Sequence, residues 1–193
     1  MKVVLFNSSP RKEGNTYSCL NIVIDELKKE GIECDYIWIG SENLKGCTAC
    51  GSCAENKDRK CVLKGDNMNE YIKKMIEADG IILGTPTYYA NVNANMKAII
   101  ERAAEVCGAN GNLLKRKVGA GVIAVRRGGG AHVFSSLNYF FLISQMIVVG
   151  SSYWNLGIGK APGEVMNDEE GIQTFKTLGE NFAYVLKKMN AFQ

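Results

Sequence analysis

Apolar residues recur along the chain in two alternating modes: short unbroken runs rich in β-branched side chains, and longer stretches in which they return every three or four positions. Lys2 to Phe6 is the first run, and its lack of polar alternation suits a strand buried on both faces of a parallel sheet. Leu20, Val23, Ile24 and Leu27 then repeat at helical spacing, with Gly31 where a C-cap glycine stands. Asp35 to Ile39 predicts a second strand. Asn67 and Glu70 have capping-box spacing, and Met68, Ile72, Met75 and Ile76 line one face of the helix they open. Ile81 to Pro86 is a third strand, Met96, Ile99, Ile100 and Ala103 mark a helix, and Val118 to Val125 is a fourth strand. A helix through Phe134, Leu137 and Phe141 leads to a fifth strand, Met146 to Tyr153. Asn167 and Glu170 form a second capping pair before the last helix, through Ile172, Phe175, Leu178, Phe182, Val185, Leu186 and Met189.

Strands that alternate with helices in this way imply βαβ crossovers and an α/β fold: a doubly wound parallel sheet with helices on both faces. Ligands of such sheets sit outside the carboxyl ends of the strands, so the loops after the strands are the ones to read for function. The length of 193 residues favours a single domain over 1–193, with a cysteine-rich insertion at about 46–62.

The loop after the first strand, Asn7 to Thr16, offers hydroxyls, the Arg11 guanidinium and the N-terminus of the following helix, a combination suited to a terminal phosphate. It lacks the Gly-Lys-Ser/Thr of a Walker loop and the GxGxxG of a dinucleotide fold, and a capped polar turn fits it equally well. The loop after the third strand, Pro86 to Asn91, places adjacent tyrosines where they can flank a planar ring. Arg126 to Gly130, after the fourth, combines cations with three glycines that let backbone approach a ligand; its alternative is a flexible connection. His132 follows that loop and reads as a ligand neighbour or as an ordinary residue at a helix start.

Composition narrows the setting. The chain is 46% hydrophobic and 22% charged, which suits a globular protein and excludes a disordered or fibrous one. No apolar run approaches the ~20 residues of a membrane helix, and the first residues lack a signal-peptide core, so a cytoplasmic protein is expected, without a membrane partner. A net charge of +3 without a basic, aromatic-interleaved patch gives no reason to expect nucleic acid. Seven cysteines is an odd number for a chain in a reducing compartment, which argues against a disulfide framework. Cys19, Cys34 and Cys107 fall in or beside apolar-periodic segments and read as small buried hydrophobes. Cys47, Cys50, Cys53 and Cys61 form C-x2-C-x2-C-x7-C, whose compact triplet leans toward a [4Fe–4S] cluster; zinc, redox-active thiols or no centre are the alternatives.

NSSPRKEGNT (7–16) followed by GTPTYYAN (84–91) resembles the flavodoxin-like NAD(P)H-dependent FMN reductases, and these motifs with the cysteine segment are similar to the iron–sulfur flavoprotein branch of that family. The resemblance implies a five-stranded sheet of order 2-1-3-4-5 with FMN at its switch point. It implies that Ser9, Arg11, Asn15 and Thr16 hold the phosphate, that Pro86, Thr87, Tyr88, Tyr89 and Asn91 lie along the isoalloxazine ring, and that Arg127, Gly128, Gly129 and Gly130 complete the site. Two departures stand out: the long, charged gap between Cys53 and Cys61, and Gly65-Asp66-Asn67-Met68 where the branch commonly reads Asp-Asp-Met.

The function expected from the resemblance is an FMN-dependent oxidoreductase that accepts electrons from NAD(P)H or a ferredoxin-like donor. It passes them to a small-molecule or protein acceptor, through a cluster if the cysteines, as metal ligands, hold one. Hydride transfer to flavin N5 needs no general base, so no protein residue is expected to be catalytic; Arg127 is the expected cation beside the ring's pyrimidine side. A homodimer or homotetramer is implied, with Tyr139, Phe140 and Phe141 either at the contact or in the core. The competing classes are a non-enzymatic FMN electron carrier and a zinc or thiol redox-sensing module.

Overall fold

The computed structural model of the chain describes residues 1–191. In chain order the first elements are β1 (Lys2–Asn7), α1 (Asn15–Lys29), β2 (Glu33–Trp38), α2 (Ser52–Asn56), α3 (Met68–Glu77), β3 (Gly80–Pro86), α4 (Ala94–Ala109) and β4 (Val118–Val125). After them come α5 (Gly130–Ile143), β5 (Ile147–Val148), β6 (Leu156–Ile158) and α6 (Glu169–Asn190). The sheet is parallel, in the order β2-β1-β3-β4-β5, as expected. Phe6 of β1 lies between Ile37 of β2 and Leu83 of β3, so the winding direction reverses at β1 and opens a crevice beyond its carboxyl end.

Each face of the sheet carries its own apolar layer. Phe6, Ile81 and Leu83 pack with Met75, Ile99, Leu137 and Phe141 from α3, α4 and α5, while Val3, Leu5 and Ile82 pack with Leu20, Leu27, Phe175 and Phe182 from α1 and α6. This two-sided burial is why the strands read as unbroken apolar runs.

The fifth strand differs from the expected Met146 to Tyr153. β5 covers only Val118 and Gly119 of β4, the chain leaves the sheet at Gly150-Ser151-Ser152, and β6 returns beside Ile123 to Val125. Asn155 bridges the interruption: its Nδ2 donates to the Gly121 carbonyl at 3.0 Å and its own carbonyl accepts from Ile123 N at 3.0 Å. Ser151 Oγ orients that amide by donating to Asn155 Oδ1 at 2.6 Å. A side chain thus stands in for missing strand, which period-two reasoning does not register.

The capping side chains differ from those expected, although Asn67 keeps the N-cap position of α3. Asp168, not Asn167, caps α6, accepting from Gly171 N at 3.0 Å, because residues 164–167 form a 3-10 turn of their own. At α3, Asp66 Oδ1 accepts from Met68 N at 3.3 Å, while Asn67 Nδ2 turns away to the Glu42 carboxylate. Gly31 ends α1 with φ +73°, as expected. Asn155→Ala is expected to leave the buried Gly121 carbonyl unpaired and to cost about 1–3 kcal/mol, read as a lower urea midpoint; an unchanged midpoint would contradict the bridging role.

Candidate functional site

The segment after β1 is braced by its own polar side chains. Asn7 Oδ1 accepts from Ser9 N at 2.9 Å, Asn7 Nδ2 donates to the Tyr36 hydroxyl at 2.8 Å, and Ser8 Oγ donates to the Gly84 carbonyl at 3.1 Å. Trp38 Nε1 donates to the Ser9 carbonyl at 2.8 Å. Gly40 lies backbone to backbone against the same peptide: a Cβ there would fall 1.8 Å from the Ser9 carbonyl oxygen. Gly14 opens α1 with no side-chain cap among the described residues, so the first-turn N–H groups remain available to a ligand.

The loop after β3 is a two-residue hairpin. Tyr88 and Asn91 exchange backbone hydrogen bonds of 2.9 Å, and Tyr89 and Ala90 between them have φ +48° and +58°, the left-handed pair of a type I′ turn built without glycine. Gly129, at φ +87°, leans against this turn, where a Cβ would fall 2.8 Å from Ala90 Cα. Asn93 ties the hairpin to the first loop: Nδ2 donates to the Ser8 carbonyl, and Oδ1 caps α4 by accepting from Met96 N at 3.2 Å.

Between these loops lies a cleft of about 340 Å³ lined by Ser9, Arg11, Asn15, Thr16, Pro86, Thr87, Tyr88, Ala124, Arg126, Gly159 and Lys160. Ser9, Asn15 and Thr16 are buried there. The hydroxyls Thr16 Oγ1 and Thr87 Oγ1 are buried and, among the described residues, without a hydrogen-bond partner. Arg11 Nη1 donates to the Lys160 carbonyl at 3.4 Å, and Asn15 Oδ1 accepts from Val165 N at 3.3 Å, so the segment after β6 closes the cleft.

Other expected residues stand apart from this lining. Arg126 lines the cleft and Arg127 does not: consecutive residues leave a strand on opposite sides. Gly128 and Gly129 precede α5, Gly130 is buried as its first residue, and His132 is exposed in its first turn. Tyr89 projects fully into solvent, while Asn91 accepts from Val92 N at 2.9 Å and lines a groove between α4 and α5. Of the aromatic run on α5, only Tyr139 is exposed; Phe140 and Phe141 are core residues, since helical rotation carries consecutive side chains to different faces. Gly159 and Lys160 escaped sequence reasoning because β6 is too short to show as an apolar run.

The second cavity, about 160 Å³, is lined by Cys47, Cys50, Cys53 and Cys61 together with Arg102, Glu105 and Val106 of α4. All seven cysteines are free. α4 suspends the whole segment. Asn95 Nδ2 donates to the carbonyls of Ile39 at 2.7 Å and Glu42 at 2.9 Å, Glu101 Oε2 accepts from Cys47 N at 3.2 Å, and Asn110 Oδ1 accepts from Arg59 N at 3.1 Å. Arg102, 1% exposed, reaches the Lys45 carbonyl at 3.2 Å, the Leu63 carbonyl at 3.3 Å, Cys61 Sγ at 3.3 Å and the Asp66 carboxylate. Its position three residues after Ile99, on the buried stripe of α4, is the sequence signal that could have found it.

The thiols differ by surroundings. A hydrogen bond from the Ser52 backbone N–H holds the exposed Cys50 thiol below its ordinary range, favouring the thiolate that a metal centre needs. Burial raises Cys53; outside the segment it pushes Cys34 up to about 11 and Cys107 up to about 12, as suits thiols without a ligand role. Among the described residues, no three His, Cys, Asp or Glu side chains converge closely enough to hold one metal ion.

Residues 1–161 match the family model for NADPH-dependent FMN reductase. An iron–sulfur flavoprotein of Methanocaldococcus jannaschii is 39% identical over 97% of this chain and 98% of its own length. The chain belongs to the NADPH-dependent FMN reductase family, in its iron–sulfur flavoprotein branch. In fold it is similar to RosB, solved with bound 8-demethyl-8-formylriboflavin-5'-phosphate, at TM-score 0.75 and 16% identity over 99% of this chain and 81% of that one. It is also similar to a flavodoxin from the domain Archaea, at TM-score 0.63 and 16% identity over 97% and 99%. The flavodoxin-like architecture is therefore shared well beyond the family.

For this family member the first loop depends on Gly40. Gly40→Ala is expected to cost about 1–3 kcal/mol by forcing Ser9 away, whereas Gly108→Ala in α4, with open space around it, is expected to be neutral or mildly stabilising. Guanidinium unfolding of both variants checks this, and equal midpoints would contradict it.

Proposed function

We propose that this chain is an FMN-dependent oxidoreductase with FMN in the switch-point cleft and a [4Fe–4S] cluster in the four-cysteine cavity. Electrons would come from NAD(P)H or a small ferredoxin-like carrier and leave to a small-molecule or protein acceptor. The observation that carries the reading is the pair of buried, unpaired hydroxyls, Thr16 Oγ1 and Thr87 Oγ1, in a cleft that also holds Arg11, Arg126 and Lys160. A buried hydroxyl without a partner costs about 1–3 kcal/mol, so its retention beside three cations is explained by an anionic ligand that completes it.

The residues fit FMN in separate roles. Ser9, Arg11, Asn15 and Thr16, with the uncapped start of α1, would hold the phosphate; Pro86, Thr87 and Tyr88 would lie along the ring. Arg126, in place of Arg127, is the nearer candidate for a positive group beside the ring. FMN, when bound, supplies hydride acceptance at N5 and the release of electrons singly or in pairs. The protein's part is then to bind, to orient the ring through the hairpin, and to set the local charge.

The cysteines fit a cluster better than one zinc ion. The compact C-x2-C-x2-C triplet with a fourth cysteine beyond it is the spacing associated with a cluster, whereas structural zinc more often takes two separated C-x2-C pairs. Among the described residues no helix is long and apolar enough to cross a membrane. The exposed Tyr139, Leu142 and Ile143 on α5 offer an apolar face to a second copy, in keeping with a homodimer or homotetramer.

Two experiments test the reading. Anaerobically purified protein is expected to carry FMN with iron and acid-labile sulfide, and Cys50→Ala to lose the iron and sulfide while keeping the flavin; flavin without iron or sulfide would sink the cluster assignment. Thr16→Val is expected to leave the apo protein as stable or slightly more so while weakening FMN binding about tenfold, the equivalent of one hydrogen bond to a charged group. FMN titration with unchanged affinity would remove Thr16 from the site.

A further inference from the structure

Arg102 has more donors at the cysteine cavity than holding a loop requires. Its guanidinium is enclosed at 1% exposure. Two of its nitrogens serve the segment's backbone, at the Lys45 and Leu63 carbonyls, and the Asp66 carboxylate balances its charge. Nε–H is left over, and it is directed at a thiol: Cys61 Sγ accepts it at 3.3 Å. Of the four cavity cysteines, Cys61 is the one outside the compact triplet, so no i, i+3 spacing places it.

We propose that Arg102 is a positioning residue for the fourth thiolate, aiming Cys61 into the cavity and, through its charged Nε–H···S hydrogen bond, holding the reduction potential of a bound cluster above the value its thiolates alone would set. The proposal rests on the cluster reading given above. Reduction adds one negative charge at the cavity, and a buried cation hydrogen-bonded to sulfur stabilises that added charge more than it stabilises the oxidised state. Asp66, on the far side of the guanidinium, works against this by compensating its charge. Arginine is required because one planar fork must meet two carbonyls, a carboxylate and a sulfur at fixed angles, which a lysine ammonium on a flexible stem cannot do.

Opposite signs at the two partners distinguish a tuning role from a merely structural one. The wild type, Arg102→Gln, Arg102→Lys and Asp66→Asn are purified anaerobically, their iron and acid-labile sulfide per chain measured, and their midpoints determined by dithionite titration, each electron passing from dithionite to the protein. Flavin absorbance in the same samples reports the fold. Arg102→Gln is expected to shift the cluster's one-electron equilibrium about tenfold toward the oxidised form, a fall of about 59 mV. Asp66→Asn is expected to raise the midpoint, and Arg102→Lys to fall between Arg102→Gln and wild type. Should Arg102→Gln fail to hold a cluster, Asp66→Asn still carries the sign. Full loading with unchanged midpoints, or shifts of the same sign in Arg102→Gln and Asp66→Asn, would overturn the role of Arg102 while leaving the cluster reading intact. A wild type without iron would overturn both.

Discussion

A guanidinium cut off from water is tolerable only where its N–H groups find acceptors. Arg102 meets that condition by gathering Lys45, Cys61, Leu63 and Asp66 around itself, residues that contribute no strand and lie outside the only short helix of their segment. The stretch between β2 and α3 has too little apolar surface to fold on its own account. It is shaped largely by polar contacts with α4, and between it and that helix lies a cavity lined by four cysteines together with Arg102, Glu105 and Val106.

The same helix touches both candidate sites. Asn93 at its N-terminus ties the β3 hairpin to the first loop, and Asn110 just past its C-terminus holds the backbone near Arg59. At roughly 1.5 Å per residue, Asn93 and Arg102 are about 13 Å apart along the axis, so the cleft's loops and the cysteine cavity are referred to one rigid rod. A shift of α4 would therefore be felt at both sites.

Much of this was legible in the sequence because burial on both faces of a parallel sheet leaves unbroken apolar runs. β1, β3 and β4 announced themselves in that way, and the polar loop from Asn7 to Thr16 stood out between apolar neighbours. β5 was expected but drawn too long, and β6 was missed, since Asn155 replaces strand backbone with an amide side chain; Gly159 and Lys160 were lost with β6. The choice between Arg126 and Arg127 depended on which way the chain leaves β4, a question composition does not address. The role of Arg102 was hidden for a different reason. A charged residue in a helix is usually solvated, and only its place on the buried stripe after Ile99 marks it as an exception. The cysteine spacing, by contrast, picked out the four cysteines that line the cavity, because a compact ligand motif is a local property of the chain.

On the proposed reading, one chain carries two redox groups of different electron capacity. The most direct test of that reading is the number of electrons taken up per chain in an anaerobic reductive titration, with flavin absorbance and the paramagnetic signal of a reduced cluster followed in the same sample. One electron more per chain than the flavin alone takes up is expected, arriving with that signal. Uptake that ends when the flavin is fully reduced, with no such signal, would contradict it.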